Sequence, residues 1–233
     1  MKRLIIASTS TIHGSVYLEY LLPTLSTFFS SMKTILFIPY ARASGISYDD
    51  YTSIARKAFA SINIDVKGIH EFDNPKEAIQ NAEAIFTGGG NTFELVNQLY
   101  KNDILDDLKR ALENGTHYLG TSAGSNICGV NMMNTNDMPI VYPPSFKTLG
   151  SIPFNINAHY LDPIIGSTHK GETRETRIKE FHVFNETPVL GLREGSWLEV
   201  AGDKITLQGN LSARLFQQNK IAVELESGRE VVV

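Results

Sequence analysis

The sequence predicts an α/β protein with a mostly parallel sheet covered by helices on both faces and closed by a β meander. Three observations carry this. In the first half, short apolar runs of strand length alternate with stretches whose apolar residues recur at helical spacing, the pattern of parallel strands joined by crossover helices. From Pro188 onward the texture changes to short strands separated by turn signals, as in an antiparallel meander. No linker, repeat or low-complexity stretch interrupts residues 1–233, which are therefore read as a single α/β domain.

The buried strands of the first half are Leu4–Ser8, Thr34–Pro39, Ile64–Ile69, Ala84–Thr87 and Tyr118–Thr121. A helical stripe begins with Phe93, Leu95, Val96 and Leu99. It runs on through Ile104, Leu105, Leu108, Ala111 and Leu112 and stops at Gly115, a residue suited to the position after a helix end. In the second half the strands are Pro188–Leu192, Ser196–Val200, Lys204–Gln208, Arg214–Phe216, Ala222–Leu225 and Arg229–Val233. Glu194-Gly195, Gly202-Asp203, Gly209-Asn210 and Ser227-Gly228 supply the turns between them.

Composition excludes several function classes. Of the 233 residues, 42% are hydrophobic, which is too many for a disordered chain, and the lone Cys128 excludes a disulfide scaffold. With 25 acids against 21 bases and a net charge of −4, the chain lacks the basic surplus that phosphate neutralisation needs, so nucleic acid is not an expected partner. The apolar run Leu4-Ile5-Ile6-Ala7 stops at Ser8-Thr9-Ser10-Thr11 before a signal-peptide core could form. No segment reaches the ~18 apolar residues of a membrane span. The expectation is a cytoplasmic protein. Cys128 has no companion Cys or His at ligand spacing, so neither a metal nor a cofactor is expected.

The most informative passage is Gly120-Thr121-Ser122-Ala123-Gly124. It has the Gly-x-Ser-x-Gly form of a nucleophile elbow, in which a strand turns sharply into a helix and leaves the serine hydroxyl exposed above the sheet. The alternative is a plain glycine-rich turn. A second cluster, Thr87-Gly88-Gly89-Gly90-Asn91-Thr92, also lies between a strand and a helix and lacks the Gly-Lys-Ser/Thr of a phosphate loop. Bare backbone amides there suit an oxyanion hole, with Ala123 and Gly90 as the two candidate donors. The bland reading is a tight turn capped by Asn91 or Thr92.

A serine nucleophile needs a base. His117 lies five residues before Ser122 on the same strand, ~16 Å away towards the wrong end of the sheet. His182 falls in a helical pattern, and His13 and His70 sit in polar surroundings without partners. His159 closes the alternating run Ile152-Pro153-Phe154-Asn155-Ile156-Asn157-Ala158 and would emerge at a strand end; His169 is the second candidate. The orienting acid is either Asp137, giving the chain order Ser, Asp, His, or Glu194, giving Ser, His, Glu, and spacing does not decide between them.

Gly171-Glu172-Thr173-Arg174 opens a helix with Thr173 as N-cap, placing Arg174, Arg177, Ile178 and Phe181 on one face. An arginine in a first helical turn opposes the helix dipole, so Arg174 calls for a carboxylate, either internal or from a substrate.

These residues carry a resemblance to the peptidase E, or α-aspartyl dipeptidase, family of serine peptidases. The matching segments are Leu36-Phe37-Ile38-Pro39-Tyr40-Ala41, Gly88-Gly89-Gly90-Asn91-Thr92-Phe93, Ser122-Ala123-Gly124, Thr135-Asn136-Asp137-Met138-Pro139-Ile140-Val141, Asn157-Ala158-His159, His169-Lys170-Gly171-Glu172-Thr173-Arg174 and Glu194-Gly195-Ser196-Trp197. The resemblance implies an α/β sandwich like that of the class I glutamine amidotransferases, with serine in place of cysteine at the elbow. It implies Ser122 as nucleophile, His159 as base, Gly90 and Ala123 as oxyanion hole, and Glu194 as the direct partner of His159. Asp137 is left as the rival acid or as a holder of the substrate's amino group. Arg174 would grip the aspartyl carboxylate, with Asn91 as a second substrate-binding candidate. The chain departs from the family pattern at Thr121, where a tryptophan often stands, and at Ala158 and Arg193, where prolines do.

The implied activity is hydrolysis of a small peptide substrate, an α-linked Asp-X dipeptide, through an acyl-enzyme. The alternatives are a cyanophycinase-like β-aspartyl peptidase and a noncatalytic module binding a small anion.

Overall fold

The computed structural model describes residues 1–163, 166 and 171–233. Five strands come from the first half: β1 (Arg3–Ala7), β2 (Thr34–Ile38), β3 (Asp65–Gly68), β4 (Ala84–Thr87) and β5 (His117–Thr121). The second half adds β6 (Asn155–Ala158), β7 (Val189–Leu192), β8 (Ser196–Ala201), β9 (Lys204–Gly209), β10 (Ala213–Phe216) and β11 (Val223–Leu225). The large sheet has the order β3-β2-β4-β5-β1-β8-β9, parallel from β3 to β1 and antiparallel from there outward. A smaller sheet has the order β11-β10-β7-β6.

Strand alternation gives the large sheet two apolar faces. Ile5, Ile35, Phe37, Phe86 and Leu119 face α1 (Leu22–Phe28) and α2 (Tyr48–Ala60), meeting Leu25, Tyr51, Ala55 and Phe59. On the opposite face, Leu4, Ile6, Leu36, Ile38, Ile85 and Tyr118 pack under α3 (Pro75–Gln80), α4 (Thr92–Lys101), α5 (Leu105–Glu113) and α6 (Ala123–Asn126). The small sheet joins this layer through Ile156, Leu190, Leu192 and Leu215. Its outer side is covered by α7 (Arg174–Phe184), where Ile178 and Phe181 pack with Tyr160, Val189 and Phe216. Among the described residues no helix is long and apolar enough to cross a membrane.

Two details differ from the sequence expectation. The single stripe from Phe93 to Leu112 is two helices, broken at Asn102–Ile104. Asp103 takes φ +53° while Ile104 N–H reaches back to Leu99 O (3.0 Å) and Asp103 N–H to Tyr100 O (3.0 Å). That is the paired closure of a helix C-terminus, and an Asp in the left-handed region makes it without the glycine that would have signalled it. At Gly115 the expected glycine termination is present, with φ +98° and Thr116 N–H on Ala111 O. The C-terminal strands pair antiparallel as β8 with β9, β7 with β10, and β10 with β11, but they are shared between two sheets, and β7 also pairs parallel with β6. Residues 229–233 contribute one bridge, Thr206 with Glu230, in place of a strand. Alternation in short strands encodes which side is buried, not which sheet supplies the partner.

Candidate active site

The elbow forms where β5 meets α6. Ser122 takes φ +53° and ψ −111°, a conformation that a serine holds only when its surroundings impose it. Its N–H is fixed by Ala7 O at 3.1 Å, and the same oxygen accepts the Ser125 hydroxyl at 2.6 Å. The two flanking glycines leave room for the turn. A Cβ at Gly120 would lie 2.5 Å from Gly124 O, and one at Gly124 would lie 2.1 Å from Thr87 O.

His159 follows directly on β6 and also has positive φ, +55°. Its Nε2 lies 2.9 Å from Ser122 Oγ, and its Nδ1 lies 2.6 Å from Glu194 Oε1. Glu194 sits in the turn between β7 and β8, closed by Ser196 N–H on Arg193 O at 3.1 Å, with Gly195 at φ +87° supplying the left-handed residue. Three strand ends thus bring serine, histidine and carboxylate into one hydrogen-bonded line, which can remove a proton from Ser122 and stabilise the imidazolium that results.

Asp137 is placed elsewhere. One of its oxygens, Oδ2, accepts from Thr92 N–H at 2.7 Å, from the Thr92 hydroxyl, and from the Thr135 hydroxyl at 3.1 Å. The carboxylate therefore meets the positive end of α4, a stabilising place for an anion, and its partners are threonines rather than His159. Asn91 is likewise committed to structure. It is the N-cap of α4, its Oδ1 accepts from Glu94 N–H at 3.1 Å, and its Nδ2 donates to Met138 O at 2.8 Å. These contacts are those of the turn-capping reading of Asn91.

The glycine loop after β4 commits its amides unequally. Gly88 N–H donates to Ile38 O, Gly89 N–H to Tyr51 Oη and Asn91 N–H to Ala41 O. Among the described residues neither Gly90 N–H nor Ala123 N–H finds an acceptor. Gly90 has φ +147°, and a Cβ there would fall 2.3 Å from Ala41 O.

Arg174 begins α7 behind the N-cap Thr173, whose hydroxyl accepts Thr176 N–H at 3.1 Å. It lines a cavity of about 440 Å³ with Asn134, Thr135, Asn136 and Phe181. Among the described residues its lining includes none of Ser122, His159 and Glu194; its link to them is Asn136, whose Nδ2 donates to Ala158 O, next to His159, at 2.8 Å. Arg177 is paired with Glu172 and Glu180, whereas none of the ion pairs among the described residues involves Arg174.

Three of the other histidines have contacts of their own. His117 packs on Phe28 at the start of β5, and His182 bonds Asn185 O. His70, expected without a partner, meets Asp49 at 3.0 Å. His169 lies outside the described residues. Cys128 is fully buried behind α6, and among the described residues no group of three or more His, Cys, Asp or Glu side chains could hold a metal.

Several supporting residues escaped the sequence reading. The Ser8 hydroxyl accepts His159 N–H at 2.9 Å and donates to Leu192 O at 2.7 Å. Asn126 Nδ2 reaches the hydroxyls of Thr92 (3.0 Å) and Thr135 (3.2 Å), tying α6, which follows Ser122, to α4 and the Asp137 loop. Arg193, next to Glu194, makes paired hydrogen bonds to Asp162 (2.8 Å each) and to Glu224 (2.9 and 3.1 Å). Ser8 carried one signal, a polar residue directly after a buried strand at the carboxyl edge of a parallel sheet, where sites of this architecture form.

The chain is similar to known proteins in sequence and in fold. A peptidase from an acI-B1 actinobacterium superposes with a TM-score of 0.73 at 17% identity, covering 100% of this chain and 97% of its own, which is a likeness of fold. Peptidase E of Streptomyces coelicolor is 48% identical over 228 residues, covering 98% of this chain and 93% of the relative. A Drosophila melanogaster protein named "Probable alpha-aspartyl dipeptidase" is 44% identical over 227 residues, covering 96% and 93% respectively. The family model described as peptidase family S51 matches residues 4–208, a span that runs from β1 through the elbow, β6 and the Glu194 turn. With its fold, its serine-centred elbow and near full-length identity in agreement, the chain belongs to peptidase family S51.

Proposed function

We propose that the protein hydrolyses α-linked dipeptides with N-terminal aspartate, through an acyl-enzyme on Ser122. The observation that carries this reading is the line Ser122 Oγ, His159, Glu194, with contacts of 2.9 and 2.6 Å at the two ring nitrogens. His159 Nε2 takes the Ser122 proton as Oγ attacks the aspartyl carbonyl. Glu194 holds the ring and stabilises its positive charge. The oxyanion is received by the amides of Gly90 and Ala123, which have no acceptor of their own among the described residues. His159 then protonates the leaving amine, and water, activated by the same histidine, releases aspartate.

Arg174 is the residue proposed to bind the aspartyl side chain. A site built around a guanidinium leaves that charge unmatched when the substrate lacks a carboxylate, which can reject neutral analogues by about 10⁴. The name of the Drosophila relative supports the same substrate class. Residues 1–233 are read as one domain acting on small peptides in the cytoplasm.

The test is a panel of dipeptides beginning with Asp, Asn, Glu or β-linked Asp, assayed with the wild type, Ser122→Ala and Arg174→Met. Asp-Leu cleavage is expected for wild type and abolished in Ser122→Ala with unchanged circular dichroism. Arg174→Met is expected to raise the barrier for Asp-Leu far more than for Ala-Leu; equal losses would make it a structural arginine. Faster cleavage of β-Asp-Arg than of Asp-Leu would favour the cyanophycinase-like alternative.

A further inference from the structure

The glycine loop is held by a residue outside every motif considered above. Tyr51, on α2, is 1% exposed, and its hydroxyl engages both polar groups of one residue. Tyr51 Oη accepts Gly89 N–H at 2.9 Å and donates to Gly89 O at 3.2 Å. We propose that Tyr51 is a positioning residue for the oxyanion hole, pinning the Gly89–Gly90 peptide plane so that Gly90 N–H is presented to the reacting carbonyl.

The argument follows from peptide geometry. Gly89 C=O and Gly90 N–H belong to the same planar unit and, in a trans peptide, point in opposite directions. A hydroxyl that holds the carbonyl on the α2 side therefore aims the amide away from α2. The peptide lies beside the nucleophile, since a Cβ at Gly89 would sit 3.0 Å from Ser122 Cβ and 3.5 Å from its Oγ. A hydrogen bond to the carbonyl also polarises the peptide and makes its N–H the stronger donor.

The ring itself has little freedom. Phe37 meets it edge-on at a centroid distance of 5.0 Å, Tyr17 at 6.2 Å, and the Arg42 guanidinium lies 4.6 Å from its centre. Gly88 is the counterpart of this fit, because a Cβ there would fall 2.6 Å from Tyr51 Oη.

The inference rests on the reading of Gly90 as an oxyanion donor, and the experiment separates it from the substrate assignment. Tyr51→Phe keeps the ring and removes the hydroxyl. The expected result is a fall in kcat for Asp-Leu of about 10–100-fold, part of the ~10²–10³ lost when such a donor is removed outright, with KM nearly unchanged. The rate at which a fluorophosphonate modifies Ser122 should fall by the same factor, whatever the preferred peptide. Rates are normalised to the folded fraction by circular dichroism. Tyr17→Phe, whose hydroxyl reaches Tyr51 Oη at 3.4 Å, should retain near wild-type kcat. Fluorotyrosine at position 51, which preserves both hydrogen bonds, should also retain it and provides the comparison if the phenylalanine variant does not fold. Undiminished kcat and modification rate in folded Tyr51→Phe would overturn the proposal, as would a loss confined to KM or a comparable loss with fluorotyrosine. Wild-type protein whose Ser122 reacts with the probe but which leaves Asp-Leu intact would overturn the substrate reading alone, and the probe rates would still decide the role of Tyr51.

Discussion

The hydroxyl of Ser8 accepts the backbone N–H of His159 at 2.9 Å across 151 positions of sequence. Ser8 directly follows Ala7, whose carbonyl accepts Ser122 N–H, so one strand end holds the backbones of both Ser122 and His159. Ser8→Ala would leave the His159 amide and Leu192 O without this partner. The expected cost is about 1–3 kcal/mol of stability, read by urea unfolding. A shift of the imidazole should lower kcat by about 10–100-fold, since misplacement near 1 Å can cost 10²-fold.

The two acids separate by their partners. Glu194→Gln replaces the carboxylate at His159 Nδ1 with an amide and, on the proposed mechanism, should lower kcat by about 10³–10⁴, the scale of a carboxylate-to-amide change in serine triads. Asp137→Asn weakens contacts with Thr92 and Thr135 instead. Its expected effect is on α4, about 1 kcal/mol in chemical denaturation, with a far smaller loss of kcat. Reversal of these magnitudes in steady-state kinetics would exchange the roles.

The elbow tolerates no side chain at Gly124. The 2.1 Å approach to Thr87 O is backbone against Cβ, so Gly124→Ala must displace β4 or α6. It is expected to cost about 3 kcal/mol or more and to abolish Ser122 modification by a fluorophosphonate. Gly90→Ala meets Ala41 O and a strained φ, and should reduce Ser122 reactivity too.

The Arg193 cluster should make stability depend on pH in a defined direction. Hydrogen bonds from Arg193 hold the Asp162 and Glu224 carboxyls below their usual ranges. A depressed folded-state pKa contributes stability that is complete above the unfolded values, ~3.9 for Asp and ~4.3 for Glu, and is lost as pH falls through the lower folded ones. Both acids are nearly half exposed, so solvent screens part of the effect. Arg193→Met should therefore destabilise by about 1–2 kcal/mol at pH 7. The difference from wild type in urea unfolding should narrow as pH falls below about 4.

Cys128 should be chemically silent in the folded protein. Burial pushes its thiol up to about 12, leaving almost no thiolate at neutral pH. Iodoacetamide at pH 8 is expected to label it only after denaturant is added and to leave peptidase activity intact. Inhibition with labelling of native protein would contradict the burial of this side chain.

The chain by itself determined what depends on local chemistry. Apolar period separated β1 to β5 from the helices between them, and Gly-x-Ser-x-Gly marked Ser122, because a strand that turns sharply into a helix demands small residues at fixed offsets. Thr173 as an N-cap and Gly115 after α5 were legible for the same reason, as each acts on amides or carbonyls within a few residues. The break at Asp103 was harder to read, because no glycine marks the left-handed residue and its one signal is the five-residue step from Leu99 to Ile104, out of helical phase.

Tertiary structure decided everything that requires distant segments to meet. Glu194 and Asp137 are equivalent as loop acids in sequence; they differ because β7 ends beside β6, whereas the Asp137 loop folds onto the N-terminus of α4. The same holds for the division of the C-terminal strands between two sheets, since pairing partners are chosen by packed faces rather than by the alternation within each strand. Ser8, Tyr51 and Arg193 are ordinary residues along the chain. Their importance comes from hydrogen-bond geometry, which falls off within a few tenths of an ångström and exists only once strand ends and helix faces have been assembled.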